Sequence, residues 1–160
     1  EGVTSGTTAT TFSPYRGCTR GQVVTFLWRA AGCPEPKSSR NPFVDVPADS
    51  FCHDAVLWAA EEGITTGVTA DRFQPNATVT RGQVVTFLWR WEGSPTAQKT
   101  SGFRDVAASS FCAEAVSWAV AQGVTKGTTA TTFAPGQTCT RGQIVTFLYR
   151  DLFPAADYED

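Results

Sequence analysis

Thr19-Arg20-Gly21-Gln22 recurs as Thr80-Arg81-Gly82-Gln83 and as Thr140-Arg141-Gly142-Gln143, at intervals of 61 and 60 residues. The flanks recur in step. Gly6, Phe12 and Pro14 precede the first tetrad, Gly67, Phe73 and Pro75 the second, and Gly127, Phe133 and Pro135 the third. Val-Val-Thr-Phe-Leu-Trp-Arg follows at 23–29 and 84–90, and Ile-Val-Thr-Phe-Leu-Tyr-Arg at 144–150. A front segment occurs twice, beginning Phe43-Val44-Asp45-Val46 and Phe103-Arg104-Asp105-Val106. Self-similarity at a fixed period means one supersecondary unit copied in tandem, each copy burying its apolar face against its neighbours. The expected units are 1–36, 37–97 and 98–160, the last carrying a C-terminal tail, and together they make one compact domain. Glu1-Gly2-Val3-Thr4 aligns with Glu62-Gly63-Ile64-Thr65, so the first unit is expected to lack its first helix. With no methionine in the sequence, the expectation is a piece of a longer protein whose targeting signal lies elsewhere.

Within a unit the pattern predicts helix, connector, helix. In residues 51–62, Phe51, Ala55, Val56, Trp58 and Ala59 fall at helical spacing, with Asp49 or Ser50 to cap the start and Gly63 to end it. Phe111, Ala115, Trp118 and Ala119 repeat the stripe, and Gly123 the stop. The Thr- and Gly-rich connector that follows has no helical period, and Phe73 is expected to turn inward from it. A second helix then runs over about 81–92, opened by the T-x-x-Q capping box of Thr80 and Gln83, with Val84, Val85, Phe87, Leu88 and Trp91 as its apolar stripe. Linkers at 34–42 and 97–102 separate the units. The fold class is therefore mainly α, tandem helix–loop–helix repeats gathered about a common axis.

Composition narrows the function classes. A net charge of −2 supplies no basic field for general nucleic-acid binding, and no run of 18 apolar residues could insert in a membrane. Five cysteines beside three lysines suit an oxidising, extracellular setting. Cys18 pairs in alignment with Cys139 and Cys52 with Cys112, while Cys33 stands alone; Cys18 and Cys33 flank a helix and so lie roughly 18 Å apart, beyond disulfide reach. The single histidine, His53, aligns with Ala113, and neither an EF-hand, a nucleophile motif, a phosphate loop nor a Cys-x-x-Cys pair is present. No catalytic residue, metal site or cofactor is expected.

The candidate binding residues come from a contrast between two recurring arginines. Arg20, Arg81 and Arg141 occupy the first helical position, where the dipole disfavours a cation. Such an arginine suits either a carboxylate or phosphate ligand at the helix start, or a structural ion pair with Asp45, Asp105 or another acid. Gly21, Gly82 and Gly142 then lower helix propensity by about 1 kcal/mol each, consistent with a close approach by another group. Arg29, Arg90 and Arg150 sit in the last turn, where the dipole alone accounts for them. Trp58 and Trp118 read as core residues or as stacking platforms at a groove edge, and Asp45 and Asp105 as turn caps or as acceptors for hydroxyls.

Phe-x-Asp-Val-Pro, Ala-x-x-Trp-Ala, Gly-Ile-Thr-x-Gly, Phe-x-Pro and Val-Thr-Arg-Gly-Gln, in this order and over residues 1 to about 150, resemble S-layer homology repeats. The resemblance implies a pseudo-threefold helical spindle, and a non-catalytic module at the bacterial cell surface or cell wall. It also implies binding of anionic, often pyruvylated, wall polysaccharide in grooves between repeats. Arg20, Arg81 and Arg141 would receive the carboxylate. Asp45, Asp105, Trp58, Trp118 and the connector glycines Gly6, Gly67 and Gly127 would line the grooves. The family's Ala-Glu is Gly-Gln in all three copies here. The incomplete first repeat would leave one groove without its Asp and Trp, a gap that self-association or the tail from Asp151 onward could fill.

Overall fold

The computed structural model describes residues 2–154; the expected tail beyond residue 154 lies outside the described residues. Five helices appear in order: α1 (Arg20–Ala30), α2 (His53–Glu61), α3 (Arg81–Trp91), α4 (Ala113–Ala121) and α5 (Arg141–Leu152). Extended pairing among the described residues is confined to isolated bridges. The chain is thus mainly α, built of tandem helical repeats.

The second helix of each repeat starts where the capping box requires. Thr19, Thr80 and Thr140 accept from the backbone N–H of Gln22, Gln83 and Gln143, whose side chains accept in return from the threonine N–H. The first helices begin later than the apolar stripe suggests. Their N-caps are Cys52 and Cys112, with no side-chain cap, and the Ser50 and Ser110 carbonyls accept from His53 and Ala113 N–H at 3.0 Å. Neither Asp49 nor the Ser50 hydroxyl caps α2. Phe51 and Phe111 fall in this pre-helical turn rather than on the buried stripe, and remain 63% and 68% exposed. Gly63 ends α2 as expected, at φ 71°, with Ile64 N–H reaching back to the Ala59 carbonyl at 2.8 Å.

α2 packs on α1 and α4 packs on α3, so each first helix covers the second helix of the preceding repeat. On α5 the corresponding face carries no helix among the described residues. Val145 is only half-buried where Val24 and Val85 are sealed, and Tyr149, Leu152 and Phe153 reach solvent around an apolar hollow.

The connectors close the repeats into a ring. Arg20 and Gly21 N–H donate to the Ala77 and Pro75 carbonyls, each at 2.9 Å. Arg81 and Gly82 donate to Gln137 and Pro135, and Arg141 and Gly142 donate back to Arg16 and Pro14. The third repeat therefore docks on the first, and the assembly is a closed pseudo-threefold cycle, not an open stack. At its centre Val79 N–H donates to the Cys18 carbonyl, Cys139 N–H to Val79, and Cys18 N–H to Cys139 (3.0, 2.9 and 2.9 Å). The helix starts thereby have partners for donors that would otherwise need water or a ligand.

Asp151 near the end of α5 makes one pH-dependent weakness. Burial, with the charge of Glu92 adding to it, pushes its carboxyl up to about 7, and its Oδ2 is buried without a partner. Because the folded-state value is raised, this site's contribution to stability is fullest below the ordinary carboxylate value of 3.8. It erodes as pH rises and is lost once pH passes about 7. Asp151→Asn should raise the melting midpoint at pH 8, by on the order of 1 kcal/mol of stability after allowance for solvent screening, and leave it unchanged at pH 3.5. Equal gains at both pH values in thermal melts would contradict this account.

Candidate functional site

Each helix-start arginine is fixed by its own capping box and then by the next repeat. Arg20 Nε donates to the Phe73 carbonyl at 2.8 Å, Arg81 Nε to Phe133 at 2.9 Å and Arg141 Nε to Phe12 at 2.9 Å. Each guanidinium also lies between two rings of that next repeat: Phe73 and Phe87 at 4.8 and 5.4 Å, Phe133 and Phe147 at 4.7 and 5.3 Å, Phe12 and Phe26 at 4.9 and 5.4 Å. These cation–π sandwiches offset part of the cost of burying a charge. Burial lowers the pKa of Arg20 and Arg81, nearby Asp45 and, for Arg81, Cys139 and Asp105 oppose it, and arginine stays protonated throughout.

Neither alternative drawn from the sequence describes these arginines fully. They form no ion pair among the described residues, whose salt bridges are Lys37–Glu62 and His53–Asp54. The helix-start N–H groups are not open to an anion either, because connector carbonyls and the threonine hydroxyl take the first three. The glycine after each arginine admits a protein neighbour rather than a ligand. A Cβ on Gly21 would come within 3.0 Å of Cys52 Sγ and 3.1 Å of the Pro75 carbonyl, and one on Gly82 within 3.1 Å of Cys112 Sγ and the Pro135 carbonyl.

What stays available is the outer edge of the guanidinium. The Nη groups of Arg20 and Arg81 have no partner among the described residues, whereas Arg141 Nη2 donates to Thr4 Oγ1 at 3.1 Å. These edges line three equivalent grooves. The first joins Arg20 with Thr65, Gly67, Gln83, Thr86 and Arg90, and is closed by Phe111. The second joins Arg141 with Thr4, Gly6, Gln22, Thr25 and Arg29, closed by Phe51. The third joins Arg81 with Thr125, Gly127, Gln143, Thr146 and Arg150, flanked by Tyr15. Every groove draws on three repeats, so none exists in an isolated unit.

Two sets of groove residues were missed by sequence reasoning. Arg29, Arg90 and Arg150, explained there by the helix dipole, line the same grooves as the helix-start arginines, and Arg90 and Arg150 Nη1 donate to the Ile64 and Val124 carbonyls at 3.3 and 3.5 Å. The signal was available: Gln83, Thr86, Phe87 and Arg90 fall at i, i+3, i+4 and i+7, a second recurring face beside the apolar one. The other set is aromatic. Phe51, Phe111 and Tyr15 are the exposed rings at the grooves, the last being 91% exposed.

The remaining candidates fall elsewhere. Trp58 and Trp118 are sealed in the core and line no groove. Asp45 accepts from Phe73 and Gln74 N–H at 2.9 and 2.8 Å, and Asp105 from Phe133 and Ala134 at 2.9 and 2.7 Å. Burial works to raise both carboxyl pKa values, but the backbone hydrogen bonds prevail and hold them below the usual range. Each aspartate clamps a left-handed residue, Gln74 or Ala134 (φ 58° and 57°), which lies beside the carbonyl that holds the groove arginine. Ser13, the equivalent residue in the first repeat, is held instead by Thr7 Oγ1 at 2.7 Å. Gly6, Gly67 and Gly127 line the grooves at φ 78°, 82° and 83°, where a Cβ would strike carbonyl oxygens at 2.5–2.9 Å. Two of the three grooves differ from the first by one feature each among the described residues. The Arg141 groove lacks the aspartate clamp; the Arg81 groove lacks the pre-helical phenylalanine and is the widest, about 630 Å³ against 290 and 170 Å³.

A profile of the S-layer homology domain matches residues 42–85 and 102–145. An endoglucanase of Bacillus sp. (strain KSM-635) is 31% identical over 165 residues, covering 98% of this chain and 17% of that protein. A surface-layer 125 kDa protein of Lysinibacillus sphaericus is 33% identical over 87 residues, covering 54% of this chain and 7% of its own length. The chain thus spans less than a fifth of either relative.

Proposed function

Because the chain belongs to the S-layer homology family, we propose that it is a non-catalytic module which anchors a larger protein to the bacterial cell surface by holding an anionic wall polysaccharide in its grooves. One observation carries this reading: two arginines and an exposed aromatic ring recur together in three symmetry-related clefts. Paired guanidinium groups suit a carboxylate such as that of a pyruvyl acetal, since each offers a planar fork of donors. The threonine hydroxyls and Gln22, Gln83 or Gln143 suit sugar hydroxyls, and Phe51, Phe111 or Tyr15 the apolar face of a sugar ring. No helix among the described residues is long and apolar enough to cross a membrane.

The test uses the last-turn arginines, whose removal spares the ring contacts. Arg90→Gln combined with Arg150→Gln should weaken binding of purified pyruvylated wall polymer at least about 10-fold in calorimetric titration, the worth of one charge-assisted hydrogen bond. Binding should also decline as ionic strength rises. Unchanged affinity in the double variant, or equal affinity for polymer stripped of its pyruvyl groups, would overturn the reading. The apolar hollow formed by Val3, Val145, Leu148 and Leu152 supports a second reading, assembly with another helical surface. Sedimentation of the polymer-free protein over a range of concentrations separates the two.

A further inference from the structure

The centre of the ring holds two thiols and one isopropyl group. Cys18, Val79 and Cys139 are equivalent residues of the three repeats, all fully buried, and each donates its N–H to the carbonyl of another. Gly17 and Thr140 face each other in an antiparallel bridge, and just inside it Cys18 N–H donates to the Cys139 carbonyl at 2.9 Å while Cys139 N–H turns to Val79, so the two cysteines are neighbours at the axis. A disulfide joins Cα atoms roughly 4.4–6.8 Å apart, a range that includes residues tied by a backbone hydrogen bond.

We propose that Cys18 and Cys139 form a disulfide that covalently closes the ring, joining the first repeat to the third. Val79 at the third position removes any competing partner at the axis and leaves too few thiolates for a three-sulfur metal site. The other cysteines lie apart from the axis. Cys52 and Cys112 sit at the N-caps of α2 and α4, with Sγ over Gly21 and Gly82, and Cys33 is exposed beyond α1. Burial pushes the Cys18 thiol to about 11 and Cys139 to about 12, which suppresses the attacking thiolate in the closed ring. The bond therefore forms while the ring is still open, during folding. One cysteine thiolate attacks an exogenous disulfide, such as oxidised glutathione or a disulfide oxidoreductase, displacing one thiol. The second cysteine attacks the mixed disulfide and displaces the other. Two protein thiols are oxidised, the donor disulfide is reduced to two thiols, and those thiols take up the two protons. Once closed, the bond is shielded from reductants by the same burial.

The link matters because it spans nearly the whole chain. The cyclic contacts between residues 14–18 and 138–142 are the ones with the largest loop to close, and a cross-link there removes the most freedom from the unfolded chain.

The experiment is to refold the reduced protein in a glutathione redox buffer, block remaining thiols, and map peptides by mass spectrometry without reduction. A linked pair of peptides containing Cys18 and Cys139 is expected, with Cys33, Cys52 and Cys112 blocked. The thermal midpoint of the refolded protein should fall by about 10 °C after denaturation and refolding in reductant. Cys18→Val with Cys139→Val, which places at all three positions the residue found at 79, should fold and show no dependence on reductant. Should that variant not fold, Cys18→Ala with Cys139→Ala serves the same purpose. Five blocked thiols in the refolded protein, a link from Cys18 or Cys139 to any other cysteine, or an undiminished reductant effect in the double variants would each overturn the proposal.

Discussion

Gly127→Val is expected to destabilise the protein by about 4 kcal/mol or more, enough to lower the melting midpoint by roughly 12 °C. Gly127 sits at φ 83°, and a Cβ there would lie 2.6 Å from the Thr132 carbonyl oxygen and 2.7 Å from the Phe103 ring. The carbonyl cannot retreat, because it accepts Thr128 N–H at 2.8 Å and so closes the connector turn. Nor can the ring, since Phe103 stacks on Phe133, which itself lies beneath the Arg81 guanidinium. A collision at this glycine thus travels through two aromatic rings to the groove. Gly123→Val is the matched comparison. Gly123 has φ 73°, but nothing lies within 4 Å of its Cβ position, so only the backbone strain of about 1 kcal/mol should be felt. Circular-dichroism melts of both variants decide the matter: equal losses would show that the left-handed backbone, and not the close approach, sets the requirement for glycine.

The second large effect is expected at Arg81. Arg81→Ala strands the Phe133 carbonyl, empties the space between Phe133 and Phe147, and opens the joint between the second and third repeats; about 3 kcal/mol should be lost. The informative variant is Arg81→Lys. Lysine keeps the charge but has no Nε–H on a planar fork and stacks poorly between two rings, so most of the loss, about 2 kcal/mol, should persist. Polymer binding should fall with it, because the groove edge is the same guanidinium. A lysine variant with wild-type stability would show that positive charge alone is needed and that the sandwich contributes little. Wild-type stability with lost binding would instead assign Arg81 to the ligand alone.

Much of this architecture is legible in the sequence because it rests on local rules. The capping boxes, the stop at Gly63, the inward Phe73 and the tandem helical character all depend on residues within a few positions of one another. The later start of α2 and α4 was not legible, since a backbone turn at Ser50–Cys52 supplies the cap and no side chain announces it. The site divides along the same line. The recurring Arg20, Arg81 and Arg141 were visible as an anomaly against the helix dipole, and the glycines Gly6, Gly67 and Gly127 by their period. The anomaly has a tertiary cause: connector carbonyls from the next repeat saturate the helix start, and that repeat's phenylalanines receive the cation.

Arg29, Arg90 and Arg150 show the complementary failure. A sufficient local explanation, the favourable C-terminal dipole, hid their place in the same grooves as the helix-start arginines. Phe51 and Phe111 show it too, because each helix begins two residues later and leaves the ring in the exposed turn before it.

By itself the sequence determined the repeat, its helices and the residues that recur, because capping, periodicity and glycine conformation act over a few residues. Only the tertiary structure decided which repeat each arginine serves, that the three units close into a ring, and that Cys18 meets Cys139 at its centre. Those pairings join residues more than fifty positions apart, and what selects them is the burial and hydrogen bonding gained when the third connector docks on the first repeat.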